Sequence, residues 1–201
     1  MLILTSNGLS SQALIDALRP ITDGLSKAVI VTTASVGYKE NDWHIPKLKE
    51  ELHSLGLSSD YFDFDLQDPR LLLQYDLIEI NGGNPFYLLK SMKNSGCGNI
   101  LKELAESKIL IGVSAGSIVL QNSIRLVAQY SPEMNNDVNL FDLSGFRLTD
   151  IEILPHYSRF LSRFERFEEC ARKYEEDVGH KVIRLDDGQG ILIESSKYSI
   201  I

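Results

Sequence analysis

The sequence predicts an α/β fold, a doubly wound, mainly parallel sheet flanked by helices. Through the first 120 residues, short β-branched runs alternate with amphipathic stretches of helical period. Serine- or glycine-rich turns follow the apolar runs, where a strand must hand over to a crossover helix. At 43% hydrophobic and 24% charged, the 201 residues hold enough apolar material for one core, and residues 1–201 are expected to form a single domain.

In chain order, "MLILTSN" reads as a buried first strand. "SSQALIDALRPI" follows as a helix entered through a serine N-cap, with Ala13, Leu14, Ala17 and Leu18 on one face. "KAVIVTTAS" (27–35) is a second strand, and "HIPKLKEELHSLG" an amphipathic helix stopped by Gly56. "SSDYFDFD" alternates polar and aromatic residues, as a third strand near a sheet edge would. "DLIEIN" (76–81) is a fourth strand closed by "GGN", followed by helices at "PFYLLKSMKNSG" and "NILKELAESK" and a fifth strand at "ILIGV". The final 80 residues are less regular. There "SIRLVAQY", "IEILP", "KVIRLD" and "GILIES" read as strands. One long helix is expected from about Arg159 to Glu176, burying Phe160, Phe164, Phe167, Cys170, Ala171 and Tyr174 as a core stripe.

A net charge of −8 without a lysine/arginine run argues against nucleic acid or an anionic membrane as partner. No apolar segment approaches the roughly 20 residues that span a bilayer, and the N-terminus lacks the basic flank of a secretory signal. Cys97 and Cys170 show no C-x-x-C spacing and are expected to be free thiols in a cytoplasmic protein. His44, His53, His156 and His180 show no compact metal spacing, so a metal is not expected. Self-association into a homo-oligomer is left open.

Gly112-Val113-Ser114-Ala115-Gly116 matches G-x-S-x-G between a predicted strand and a predicted helix. Such a turn needs small residues flanking the serine and projects its hydroxyl above the sheet edge, where the Ala115 N–H faces a developing oxyanion. The bland alternative is a turn serine or helix N-cap. A serine hydroxyl needs a base, and His156 sits just after the apolar run ending in Leu154-Pro155, where active-site loops gather. The other histidines read as surface residues. For the orienting acid, Asp186 and Asp187 in "LDDGQG" compete with Asp137, Asp142 and Asp150, and the residues alone do not choose. In "INGGNPF", Gly82 and Gly83 allow backbone donors to approach a substrate carbonyl, while Asn84 suits the N-cap of a helix starting at Pro85.

Together, "NGGNPFYLL", "IGVSAGSIVL", "LPHYS" and "LDDGQGILI" resemble the dipeptidase E (aspartyl dipeptidase) family of serine peptidases, which includes cyanophycinase-like enzymes. The resemblance runs from the first strand to about residue 195. It implies a fold related to class I glutamine amidotransferases, with Ser114 as nucleophile, His156 as general base and Asp187 as the acid. Gly82 or Gly83, with Ala115, would supply the oxyanion donors. The implied substrate is a small peptide, with dipeptides bearing an N-terminal aspartate as the sharpest expectation, and the implied acyl transfer requires no cofactor. "SRFERFEE" resembles the segment that carries a carboxylate-binding arginine. Arg163, then Arg166, are therefore substrate-contacting candidates, together with Asn84. The competing readings are an α/β-hydrolase esterase using one of the intervening aspartates, and a non-catalytic binding protein in which Ser114 and His156 do not touch.

Overall fold

Residues 1–194 and 197–201 are described by the computed structural model. In chain order it comprises β1 (Leu2–Thr5), α1 (Gln12–Thr22), β2 (Lys27–Val31), α2 (Ile45–Ser54), β3 (Ser58–Phe62) and β4 (Leu77–Ile80). Then come α3 (Pro85–Asn94), α4 (Gly98–Ser107), β5 (Ile109–Val113), α5 (Ala115–Leu120) and α6 (Arg125–Tyr130). The last third holds β6 (Ile153–Leu154), α7 (Tyr157–Leu161), α8 (Phe167–Val178), β7 (Ile183–Arg184), β8 (Gly190–Glu194) and β9 (Lys197–Ile200).

Seven strands form one sheet in the order β3-β2-β4-β5-β1-β8-β9. The first five in this order run parallel, and β8 and β9 close one edge antiparallel. Alternation along the central strands feeds two cores. Ile3, Ile30 and Ile111 pack with Leu14, Leu18, Leu48 and Leu52 of α1 and α2. Leu4, Ile78 and Leu110 pack on the other face with Phe86 and Leu89 of α3 and Leu101 of α4. Covering both faces is what lets a parallel strand be apolar throughout, and each fully buried aliphatic contributes roughly 1.5–3 kcal/mol.

Local signals decide the element ends. Ser11 caps α1 by accepting the Leu14 N–H at 3.3 Å, as the serine pair suggested. The third strand does lie at the sheet edge. Two expectations fail. "SIRLVAQY" was expected as a strand, yet Arg125–Tyr130 is helical, because its apolar Leu126 and Val127 face two different cores and period-two alternation gains nothing. The long helix from Arg159 breaks into α7 and α8, with Arg166 left-handed (φ +58°) at the break. Phe167, Ala171 and Tyr174 remain the buried stripe of α8, while Phe160, Phe164 and Cys170 are only partly covered.

A separate two-stranded parallel sheet pairs β6 with β7, Ile153 opposite Ile183 and Leu154 opposite Arg184. Both strands run out on the same side, so the residues that follow them emerge together. Among the described residues, no helix is long and apolar enough to cross a membrane.

Candidate active site

Ser114 stands on the turn between β5 and α5 with φ +51° and ψ −109°. Such a backbone costs a non-glycine residue on the order of 1–3 kcal/mol and persists only where its surroundings enforce it. Here the Ser114 N–H donates to Thr5 O at 3.0 Å, and the Ser117 hydroxyl lies 2.9 Å from Thr5 O and 2.7 Å from Gly112 O. A Cβ at Gly116 would sit 1.9 Å from the Ile80 carbonyl oxygen, so the turn can press against β4 only with glycine there. The strain aims Oγ outward from the C-terminal end of the parallel sheet, where ligands of doubly wound folds collect.

His156 follows β6 and Asp187 follows β7, and the small parallel sheet delivers the two side chains to each other. His156, itself left-handed at φ +58°, places Nε2 2.9 Å from Ser114 Oγ and Nδ1 2.5 Å from Asp187 Oδ1. Burial, the largest single influence, and the charge of Arg159 hold the His156 pKa below its ordinary value against the hydrogen bond and charge of Asp187, which raise it. For Asp187, burial pushes the carboxyl upward. Hydrogen bonds from His156 and Ser6, with the charges of His156 and Arg159, outweigh it and hold the group below the usual carboxylate range. A neutral base beside an ionised acid is the pair that proton abstraction from a hydroxyl requires.

Ser6 and Arg159 were not singled out from the sequence. The Ser6 hydroxyl donates to Asp187 Oδ1 at 2.9 Å and accepts the His156 backbone N–H at 2.8 Å. Arg159 Nη1 lies 3.5 Å from Asp187 Oδ2. No local motif marks Ser6; only its place just beyond β1, beside Ser114, could have drawn attention to it.

The oxyanion candidates separate. The Gly82 N–H donates to Asn81 Oδ1 at 2.6 Å, so it departs from the expected role: it is committed within the protein. Asn81 Oδ1 in turn faces His44 Nε2 at 2.9 Å, which ties His44, expected at the surface, to the glycine turn. Gly83 has φ +141°, and a Cβ there would fall 2.3 Å from Ala34 O. Among the described residues, the N–H groups of Gly83 and Ala115 have no acceptor, and both residues line the space in front of Ser114. They are the donors left for an oxyanion.

Asn84 is likewise consumed by structure. Its Oδ1 accepts the Phe86 and Tyr87 N–H groups at 2.9 and 3.1 Å, and its Nδ2 donates to Met134 O at 2.8 Å. Arg166 is exposed and pairs with Glu169, off the cavity walls, so it is placed as a surface residue rather than a substrate contact. Among the aspartates between Ser114 and His156, Asp142 pairs with Lys93 at 2.6 Å, and Asp137 and Asp150 are exposed. Asp186 accepts the Ser158 N–H at 2.8 Å, capping α7.

Two cavities meet at Ser114, His156 and Gly83. The larger, about 320 Å³, is walled by Tyr130, Met134, Phe160 and Phe164 and carries Arg163 and Glu133 at its polar side. The Arg163 guanidinium lies 5.2 Å from the Phe164 ring centroid and 5.9 Å from that of Phe160. The smaller, about 240 Å³, is bounded by Trp43, Lys47, Asn81 and Arg159.

A sequence profile described as peptidase family S51 matches residues 2–201. An uncharacterized peptidase of Listeria monocytogenes, Lmo0363, is 30% identical over 162 residues, covering 78% of each chain. A protein named peptidase E from Shewanella amazonensis is 25% identical over 195 residues, covering 92% of this chain and 78% of that one. Among solved structures, a candidate peptidase E from Listeria monocytogenes EGD-e superposes with a TM-score of 0.73 at 26% identity, over 100% of this chain and 96% of that chain. A peptidase from an acI-B1 actinobacterium has the same fold, with a TM-score of 0.73 at 20% identity over 100% of this chain and 86% of that chain.

Proposed function

The chain belongs to peptidase family S51, and on that premise we propose that it hydrolyses small peptides by serine acyl-enzyme chemistry. The observation that carries this reading is the continuous relay from Asp187 through His156 to Ser114, at 2.5 and 2.9 Å. That contact also counts against a binding protein in which the serine and histidine stand apart.

His156 Nε2 takes the Ser114 proton as Oγ attacks the scissile carbonyl carbon. The carbonyl oxygen gains the negative charge and is met by the free N–H groups of Gly83 and Ala115, each contributing roughly 3–4 kcal/mol to lowering the barrier. The C–N bond then breaks as His156 gives its proton to the leaving amine. Water, deprotonated by the same imidazole, releases the acyl group and restores the hydroxyl. Asp187 stays ionised and holds Nδ1–H throughout.

Substrate choice follows the larger cavity. Arg163 is the cation available there to an acidic side chain, which supports dipeptides with N-terminal aspartate as the finer reading. Glu133 shares that cavity, held by the Ser131 hydroxyl, and its charge acts on an acidic ligand together with that of Arg163. Cys97 and Cys170 are free thiols, which supports a cytoplasmic setting.

The test is hydrolysis of Asp-Leu, Glu-Leu and Ala-Leu by wild type and Ser114→Ala. Cleavage that falls about 10⁴-fold or more in the variant supports the nucleophile. Preference for Asp-Leu supports the acidic subsite, and cleavage that persists in Ser114→Ala removes the mechanism.

A further inference from the structure

We propose that the smaller cavity beside Ser114 is a leaving-group subsite that recognises the free C-terminal carboxylate of the substrate through Arg159 and Lys47. The proposal rests on the serine-peptidase reading above and names the substrate class for it: peptides that end one residue beyond the scissile bond.

Charge is the first argument. The chain carries 28 acidic against 20 basic residues, yet no aspartate or glutamate lines this cavity, while Lys47 and Arg159 do. Their carboxylate partners stand outside its wall. Arg159 meets Asp187 at 3.5 Å and Lys47 meets Glu51 at 3.5 Å, with 57% and 54% of the two cationic side chains exposed. At that separation each cation keeps donors for a second anion, and a guanidinium has five in all.

The second argument is an unmet donor. Asn81 is fully buried and lines the cavity, its Oδ1 is occupied by the Gly82 N–H and His44, and its Nδ2 has no partner among the described residues. A buried donor without an acceptor is destabilising, and a ligand oxygen placed against it would recover that cost.

Geometry supplies the direction. A scissile carbonyl over Ser114 with its oxygen toward Gly83 and Ala115 sends one half of the substrate into each cavity. With the acyl half on the Arg163 side, the amine half enters the smaller one. Its 240 Å³ lies below the roughly 300–1,000 Å³ of drug-sized ligand pockets, which suits a single residue. Trp43, 88% exposed, and Leu48 offer that residue's side chain an apolar wall.

The experiment compares Xaa-Leu dipeptides with the matching Xaa-Leu amides, which differ only in the terminal charge, for wild type, Lys47→Gln and Arg159→Gln. Xaa-p-nitroanilides and a fluorophosphonate label report the serine chemistry separately. The expected result is a kcat/KM at least tenfold higher for the free dipeptide in wild type. That ratio should fall toward one in Arg159→Gln and by a smaller factor in Lys47→Gln. Equal cleavage of acid and amide by wild type, or a ratio unchanged in both variants, overturns the subsite while leaving the peptidase chemistry standing. No cleavage of any substrate together with no labelling overturns the serine-peptidase reading, and the subsite falls with it.

Discussion

Ser6 fastens Asp187: its hydroxyl donates to Oδ1 at 2.9 Å, the same oxygen that faces His156 Nδ1 at 2.5 Å. Because Ser6 also receives the His156 N–H, a single buried hydroxyl fixes both the acid and the backbone of the base. Ser6→Ala should therefore lower kcat about tenfold, the equivalent of ~1.4 kcal/mol, with KM nearly unchanged. It should also raise the Asp187 pKa, since one hydrogen bond to the charged form is lost. Steady-state kinetics across pH checks both. A fall in activity confined to KM would contradict a positioning role.

The lowered pKa of His156 sets the acid limb of the pH profile. The active form is the neutral imidazole, so kcat/KM should rise with pH to a plateau, with a midpoint below the unperturbed value of about 6.5. Removing the nearby cation in Arg159→Gln should move that midpoint upward. A wild-type midpoint above 7 in a pH–rate series would contradict the environment described for His156.

Arg163→Ala should reduce the ratio of Asp-Leu to Ala-Leu hydrolysis by roughly tenfold, as loss of a partly exposed charge pair would. Glu133→Gln should raise the same ratio by removing a negative charge from the cavity that an acidic side chain would enter. Competition assays with both dipeptides in one reaction read the ratio directly.

Glu79 makes a prediction about stability. It is fully buried in β4 with both carboxyl oxygens unpartnered among the described residues, and burial, then the charge of Glu51, raises its pKa well above the ordinary value. A group whose folded pKa is raised contributes fully below its unfolded pKa of about 4.3, and that contribution is lost as pH climbs toward the folded value. Wild type should thus lose melting temperature between pH 5 and pH 8 by more than Glu79→Gln does. Parallel melting curves for the two proteins would show it, and equal losses would contradict it.

Gly116→Ala should be destabilised by about 3 kcal/mol or more, because the added methyl meets the Ile80 carbonyl, a backbone atom that cannot rotate aside. Denaturant unfolding measures the loss.

The parallel sheet was legible because period-two and helical-period signals were long and clean as far as Ser114. Beyond it, apolar residues serve several small surfaces at once, and Arg125–Tyr130 could be read either way until Leu126 and Val127 were seen to face different neighbours. Within the site, the elbow and Pro155-His156 carry local signatures. The difference between the Gly82 N–H, which is engaged, and that of Gly83 does not, since it depends on Asn81 turning its amide back onto the adjacent N–H. Asn84 shows the converse: it carries a strong capping signal beside its expected substrate role, and the cap takes its Oδ1 while Nδ2 ties it to Met134 O. Ser6 and Arg159 depend on contacts across 181 and 28 residues of sequence, which no local pattern encodes.

The pairing of β1 with β8 bears on when Ser114, His156 and Asp187 can first meet. β1 is synthesised first, yet its neighbour β8 and the preceding Asp187 arrive about 180 residues later, Thr5 lying opposite Gly190 in the finished sheet. A nascent chain emerging at about 5–20 residues per second therefore carries Ser114 through a further 73 residues, roughly a third of its synthesis, before Asp187 is made. Translation order therefore withholds the completed trio until the last strands of the sheet have been made.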